Sequence, residues 1–81
     1  MELGETVVLV SDVNGVPAGK EGLVMKVRED ILLIGCRSGH LLDLVLARAW
    51  EVLPERNWRA LSKIERSRMT QERSFLKVPP T

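Results

Sequence analysis

Gly22-Leu-Val-Met-Lys-Val-Arg-Glu-Asp-Ile-Leu-Leu-Ile-Gly-Cys-Arg-Ser-Gly-His-Leu-Leu-Asp-Leu-Val-Leu46 is the stretch whose reading decides the fold. It holds three β-prone runs punctuated by turn chemistry, the pattern of antiparallel hairpins. Residues 22–28 alternate, with Leu23, Met25 and Val27 on one side and Val24, Lys26 and Arg28 on the other. Glu29-Asp30 makes a tight charged turn, and residues 31–36 form the next strand. Arg37-Ser38-Gly39-His40 reads as a four-residue hairpin loop, its glycine placed where a left-handed residue is useful. Residues 41–46 read as a strand, although their leucines would also suit a helix, because hairpin signals flank them.

Outward from this stretch the same style of text continues. Residues 6–10 are Val-rich and read as a first strand. Residues 11–20 form a loop, since Asn14-Gly15 and Pro17-Ala18-Gly19 are turn chemistry in which Gly supplies positive φ and Pro fixes φ near about −65°. A turn at residues 47–49 leads to a short fifth strand at 50–53. Residues 1–54 are therefore expected to form a small five-stranded β-barrel, mainly β with a C-terminal helix appended. After Pro54 the composition shifts to Arg, Glu, Ser, Lys and Gln, predicting one amphipathic helix over residues 55–76. Residues 77–81, with two prolines, cannot continue it and are expected to form a flexible tail.

The hairpin strands are apolar on both faces. Ile31 and Leu33 oppose Leu32, Ile34 and Cys36; Leu42, Leu44 and Leu46 oppose Leu41, Asp43 and Val45. A small barrel needs apolar side chains only on its inner face. The surplus demands a cover, which could be the chain's own helix, a second copy or another protein.

On a helix of 100° per residue, Arg59, Lys63, Arg66, Thr70 and Arg73 fall within about 80° of arc and make a basic stripe. Trp58, Leu61, Ile64, Met69, Phe75 and Leu76 make an opposing apolar arc of about 140°. Glu65, Arg68 and Glu72 interrupt that arc in the second half at ion-pairing spacing. The first half is expected to dock and the second to project.

The net charge of +1 conceals a division. Residues 1–54 carry five basic and eight acidic side chains, net −3, whereas residues 55–81 carry seven basic and three acidic, net +4. Such a split suits a polyanion-seeking tail or two mutually attracting surfaces. One cysteine, Cys36, rules out an internal disulfide framework and fits a reducing cytoplasm. The acidic start and the want of any long apolar run lead us to expect a soluble, cytoplasmic protein without a membrane partner.

The stretch from Val10 to Val27 contains a loop ending in Gly19, Lys20, Gly22 and Val24, and it resembles the KOW-type and Src-homology-3-like small β-barrels, which place Gly-Lys-x-Gly-x-Val between their first two strands. The resemblance implies a five-stranded Src-homology-3-like barrel over residues 1–54. This barrel hosts ribosomal, transcriptional and protein-docking roles alike. The chain has no Tyr and only Trp50 in its barrel half, which disfavours polyproline and methyl-lysine recognition. Asp12 and Glu21 flank the loop where an RNA-binding relative would be basic.

His40 is the only histidine and reads as a turn residue, and Cys36 reads as an inert core thiol. Asp12, Glu21, Glu29, Asp30 and Asp43 lack metal-loop spacing, and the glycines lead into a strand rather than a phosphate-binding helix. No catalytic residue, cofactor, metal or small-molecule substrate is expected. The expectation is a non-catalytic binding or assembly module, acting through protein–protein interaction or oligomerisation, with Leu32, Ile34, Leu42, Leu44, Trp58, Leu61 and Ile64 as contact residues. The alternative is a nucleic-acid-binding accessory protein, for RNA or DNA, using Arg59, Lys63, Arg66 and Arg73.

Overall fold

The structure is a computed structural model that describes the backbone of residues 1–76 and the side chains of residues 1–70. The tail expected at residues 77–81 lies outside the described residues. Strands β1 (Thr6–Leu9), β2 (Glu21–Arg28), β3 (Ile31–Ser38) and β4 (Leu41–Arg48) are followed by a 3-10 turn (Ala49–Glu51) and β5 (Val52–Pro54). Two helices follow, α1 (Glu55–Ala60) and α2 (Lys63–Leu76). All five strands join one antiparallel sheet in the order β4-β3-β2-β1-β5, so β4 and β5 are its edges.

Turn chemistry sets the register. Asn14 and Gly15 take φ of 47° and 85°, while Val13 and Val16 exchange backbone hydrogen bonds of 2.9 and 2.8 Å, the geometry that Asn-Gly favours in two-residue hairpins. The loop between β3 and β4 is also two residues, not the expected four. Arg37 and Ser38 pair with Leu42 and Leu41, leaving only Gly39 (φ 63°) and His40 to turn the chain.

One cluster fills the concave face: Val7 and Leu9, Val13, Val24, then Leu32, Ile34 and Cys36, with Val45, Ala47 and Val52. Both edge strands contribute to it, β4 through Val45 and Ala47 and β5 through Val52. Burying each of the larger side chains contributes about 1.5–3 kcal/mol. Leu32 and Ile34, expected on a contact surface, are 2% and 0% exposed. Their strand face is the core face, so the chain itself covers them. Glu51 ties the 3-10 turn to the end of β1: its carbonyl accepts from Val10 N–H at 2.8 Å and its carboxylate accepts from Arg48 N–H at 2.9 Å.

Val8 is also fully buried, yet alternation turns it away from Val7 and Leu9 and outside the inner cluster. The element packed on β1 and β5 is α1, whose Trp58 is half-buried, as is Leu61 just beyond it.

The single helix expected over residues 55–76 is two. Leu61 takes extended backbone (φ −79°, ψ 145°), and Ser62 starts a new helix through a capping box. Glu65 N–H donates to Ser62 Oγ at 3.1 Å, and Ser62 N–H donates to Glu65 Oε1 at 2.9 Å. The break rotates Ile64 out of register with Trp58 and Leu61, and it stands 73% exposed. Ile64 therefore does not belong to a docked apolar arc.

Candidate functional site

The convex face of β2, β3 and β4, opposite the core cluster, carries the candidate surface. Directly paired residues share a face. The ladders therefore place Leu23, Gly35 and Leu44 in one row, Lys26, Leu33 and Leu46 in the next, and Arg28, Ile31 and Arg48 in a third. Arg37 and Leu42 form a fourth. A register shift between Val24 and Lys26 puts Met25 on this side as well: a Cβ built on Gly35 would lie 2.7 Å from Met25 Sδ and 3.4 Å from Leu42 Cδ1. Gly35 is thus the low point over which Met25 and Leu42 approach each other.

Leu42, Leu44 and Leu46 remain 56%, 59% and 60% exposed, and Leu23 and Met25 are each 46% exposed. A depression of about 300 Å³ opens between Lys26, Arg28, Ile31, Leu33 and Leu46. The charged side chains of the face are cations apart from Glu21, which alternation puts on the same side as Leu23 at the start of β2. Arg48 meets Asp30 at 3.4 Å and lies 5.9 Å from the ring of the exposed Trp50. Lys26, Arg28 and Arg37 form no ion pair among the described residues.

The adjoining edge is open too. Ala49 N–H donates to the carbonyl of Asp30 at 2.8 Å, which sets the phase of the β3–β4 ladder. By the two-residue alternation of antiparallel bonding, residues 41, 43, 45 and 47 bond to β3 while the N–H and C=O groups of Leu42, Leu44 and Leu46 point away from the sheet. The exposed leucines and the unpaired backbone groups belong to the same residues.

Of the seven expected contact residues, this face gathers only Leu42 and Leu44. Leu32 and Ile34 line the inner core, Trp58 and Leu61 lie half-buried at α1 and its end, and Ile64 stands alone on α2. Leu46 was legible with Leu42 and Leu44 from strand alternation. Leu23, Met25, Lys26, Arg28 and Arg37 join them only through the register, whose signal is the length of the two turns.

The expected basic stripe does not form as drawn. Arg59 pairs with Glu55 on α1. Arg66 is half-buried, donating from Nε to the Trp58 carbonyl at 2.9 Å and from a terminal nitrogen to the Arg59 carbonyl at 3.0 Å. Lys63 is exposed, and the side chain of Arg73 lies outside the described residues. Burial pushes the Cys36 thiol above its ordinary range, Lys20 opposing and Asp43 adding to the shift. Among the described residues no three His, Cys, Asp or Glu side chains group as metal ligands, and no helix is long and apolar enough to cross a membrane.

No protein-family model, no curated protein and no solved structure matches this chain.

Proposed function

We propose that this chain is a non-catalytic assembly module that binds another protein through the convex face of β2, β3 and β4. The observation that carries the reading is the row Leu42, Leu44 and Leu46, each more than half exposed on a face that nothing among the described residues covers. Contiguous apolar patches beyond a few hundred Å² are uncommon on soluble monomers and mark interaction surfaces. The scaffold is best read as a Src-homology-3-like small barrel. The strand order, the 3-10 turn between β4 and β5, and the contribution of both edges to one core support that reading.

The nucleic-acid alternative has less support. Two of its four cations, Arg59 and Arg66, are engaged within the chain, and an engaged guanidinium has fewer donors left for phosphate.

Affinity isolation from the source cells, run in parallel with wild-type chain, Leu44→Glu/Leu46→Glu and Arg59→Glu/Lys63→Glu, tests the proposal. The leucine variant should keep the wild-type melting temperature, because both side chains are solvated, and should lose the bound protein. Retention by the leucine variant together with loss by the helix variant would move the function to α2.

A further inference from the structure

We propose that the occupant of the convex face is an acidic amphipathic helix of another protein. This rests on the reading of that face as the contact surface and names what it takes. Three features of the face select the partner: its charge, its shape and the edge beside it.

Lys26, Arg28, Arg37 and Arg48 surround the leucines, and the one acidic side chain on the same side of these strands, Glu21 at the start of β2, leaves the face cationic by four to one. Only Arg48 has an ion-pair partner among the described residues. A second copy docked face to face would bring two cationic rims together. A second copy's α2 would do little better, since its Lys63, Arg66, Arg68 and Arg73 outnumber Glu65 and Glu72. Like charges facing across an interface suppress association, whereas a carboxylate-rich partner turns all four cations into attractions.

Three strands at about 4.8 Å spacing make an apolar floor on the order of 10 Å wide, the diameter of one α-helix with its side chains. A helix laid along the strands would cover Leu23, Met25, Leu33, Leu42, Leu44 and Leu46 together. A strand added to the β4 edge would touch the three β4 leucines and leave Leu23, Met25 and Leu33 in water. An anionic bilayer also presents negative charge over an apolar layer. Inserting this face, however, would carry the unpaired N–H and C=O groups of Leu42, Leu44 and Leu46 into hydrocarbon, where each lacks a partner.

The experiment titrates the full chain into a fluorescent synthetic helix-forming peptide of Leu, Ala and Glu, with leucines at heptad spacing, and into its twin bearing Lys for Glu. Anisotropy reads binding and circular dichroism reads peptide conformation. The Glu peptide should bind at least about tenfold tighter than the Lys twin and gain helicity on binding. Lys26→Glu/Arg28→Glu should reverse the preference, and Leu44→Glu should abolish binding of both while the chain stays folded.

Three outcomes overturn the proposal: equal or no binding of the two peptides, binding as a strand, or preferential uptake by vesicles of phosphatidylcholine and phosphatidylserine. A stable dimer in light scattering that Leu44→Glu dissociates overturns it as well, and in that case the face remains the assembly surface with a second copy on it. If Leu44→Glu alters neither peptide binding, self-association nor recovery of a cellular protein, the contact-face reading itself falls with it.

Discussion

The guanidinium of Arg66 sits 5.5 Å from the ring of Trp58 and donates from Nε to that residue's carbonyl oxygen at 2.9 Å. A second donation reaches the carbonyl of Arg59. One side chain of α2 therefore satisfies the C-terminal carbonyls of α1, complements the negative end of its dipole and stacks on its aromatic residue. The corner between the helices is built on this residue.

Arg66→Ala should loosen that corner, costing about 1 kcal/mol after allowance for its partial exposure and lowering the melting temperature by about 4–8 °C. Arg66→Lys keeps the charge but lacks the fork, and should recover less than half of the loss. Thermal denaturation of the two variants checks this, and equal stability of the lysine variant and wild type would mean that charge alone matters.

Gly22 is irreplaceable on packing grounds. A Cβ there would collide with Ile34 Cγ2 and lie 3.0 Å from Cys36 Sγ. Both neighbours are fully buried and have nowhere to move. Gly22→Ala should cost about 1–3 kcal/mol by overpacking. Chemical denaturation should show a lower midpoint with the slope unchanged.

Ile34 and Ile64 make a matched pair for testing where the core lies. Ile34→Ala removes side-chain volume from the centre of the core and should cost about 2–5 kcal/mol. Ile64→Asp, on a side chain 73% exposed, should change stability by no more than about 0.5 kcal/mol and leave any oligomeric state unaltered. A large loss at Ile64 would show α2 docked on a surface that the single chain does not present.

The start of α2 should respond to acid. The backbone N–H of Ser62, and next its side chain, hold the Glu65 carboxyl below its ordinary 4.5. A carboxyl depressed in the folded state contributes stability above its unfolded value, and that contribution is lost as pH falls through the lower folded value. The protection factors of the amides at residues 63–66, which allow for the slower intrinsic exchange in acid, should therefore fall below pH 4.5 in the wild type. In Glu65→Gln they should show no such step.

The strands were legible because apolar alternation and turn dipeptides act locally: Asn14-Gly15 and Gly39 sit where their chemistry puts them. The loop at residues 37–40 was overestimated because Arg37 and Ser38 are polar, and only their pairing with Leu42 and Leu41 makes them strand. The helix break was written as Ser62-Lys-Ile-Glu65, a capping box hidden inside a run whose periodicity suits one long helix. Periodicity measured across that break grouped Ile64 with Trp58 and Leu61 and drew a basic stripe through Arg66. Of the proposed contact surface, Leu42 and Leu44 were visible as a surplus of apolar side chains. Which of the two apolar faces turns outward depends on which face Val45, Ala47 and Val52 of the two edge strands share with the core cluster, and that is a long-range property.

The two-residue turns that set the register of β2, β3 and β4 also set an order of assembly. Closing short loops costs less chain entropy than bringing β5 back to β1, where Val8 meets Leu53. The meander is accordingly the part expected to order first, with its leucines and its open edge displayed before the rest of the fold is complete. Lys26, Arg28 and Arg37 then act as gatekeepers, their mutual repulsion keeping one nascent meander from stacking on another. The cations proposed to select the partner in the finished protein would thus guard against misassembly while it is being made.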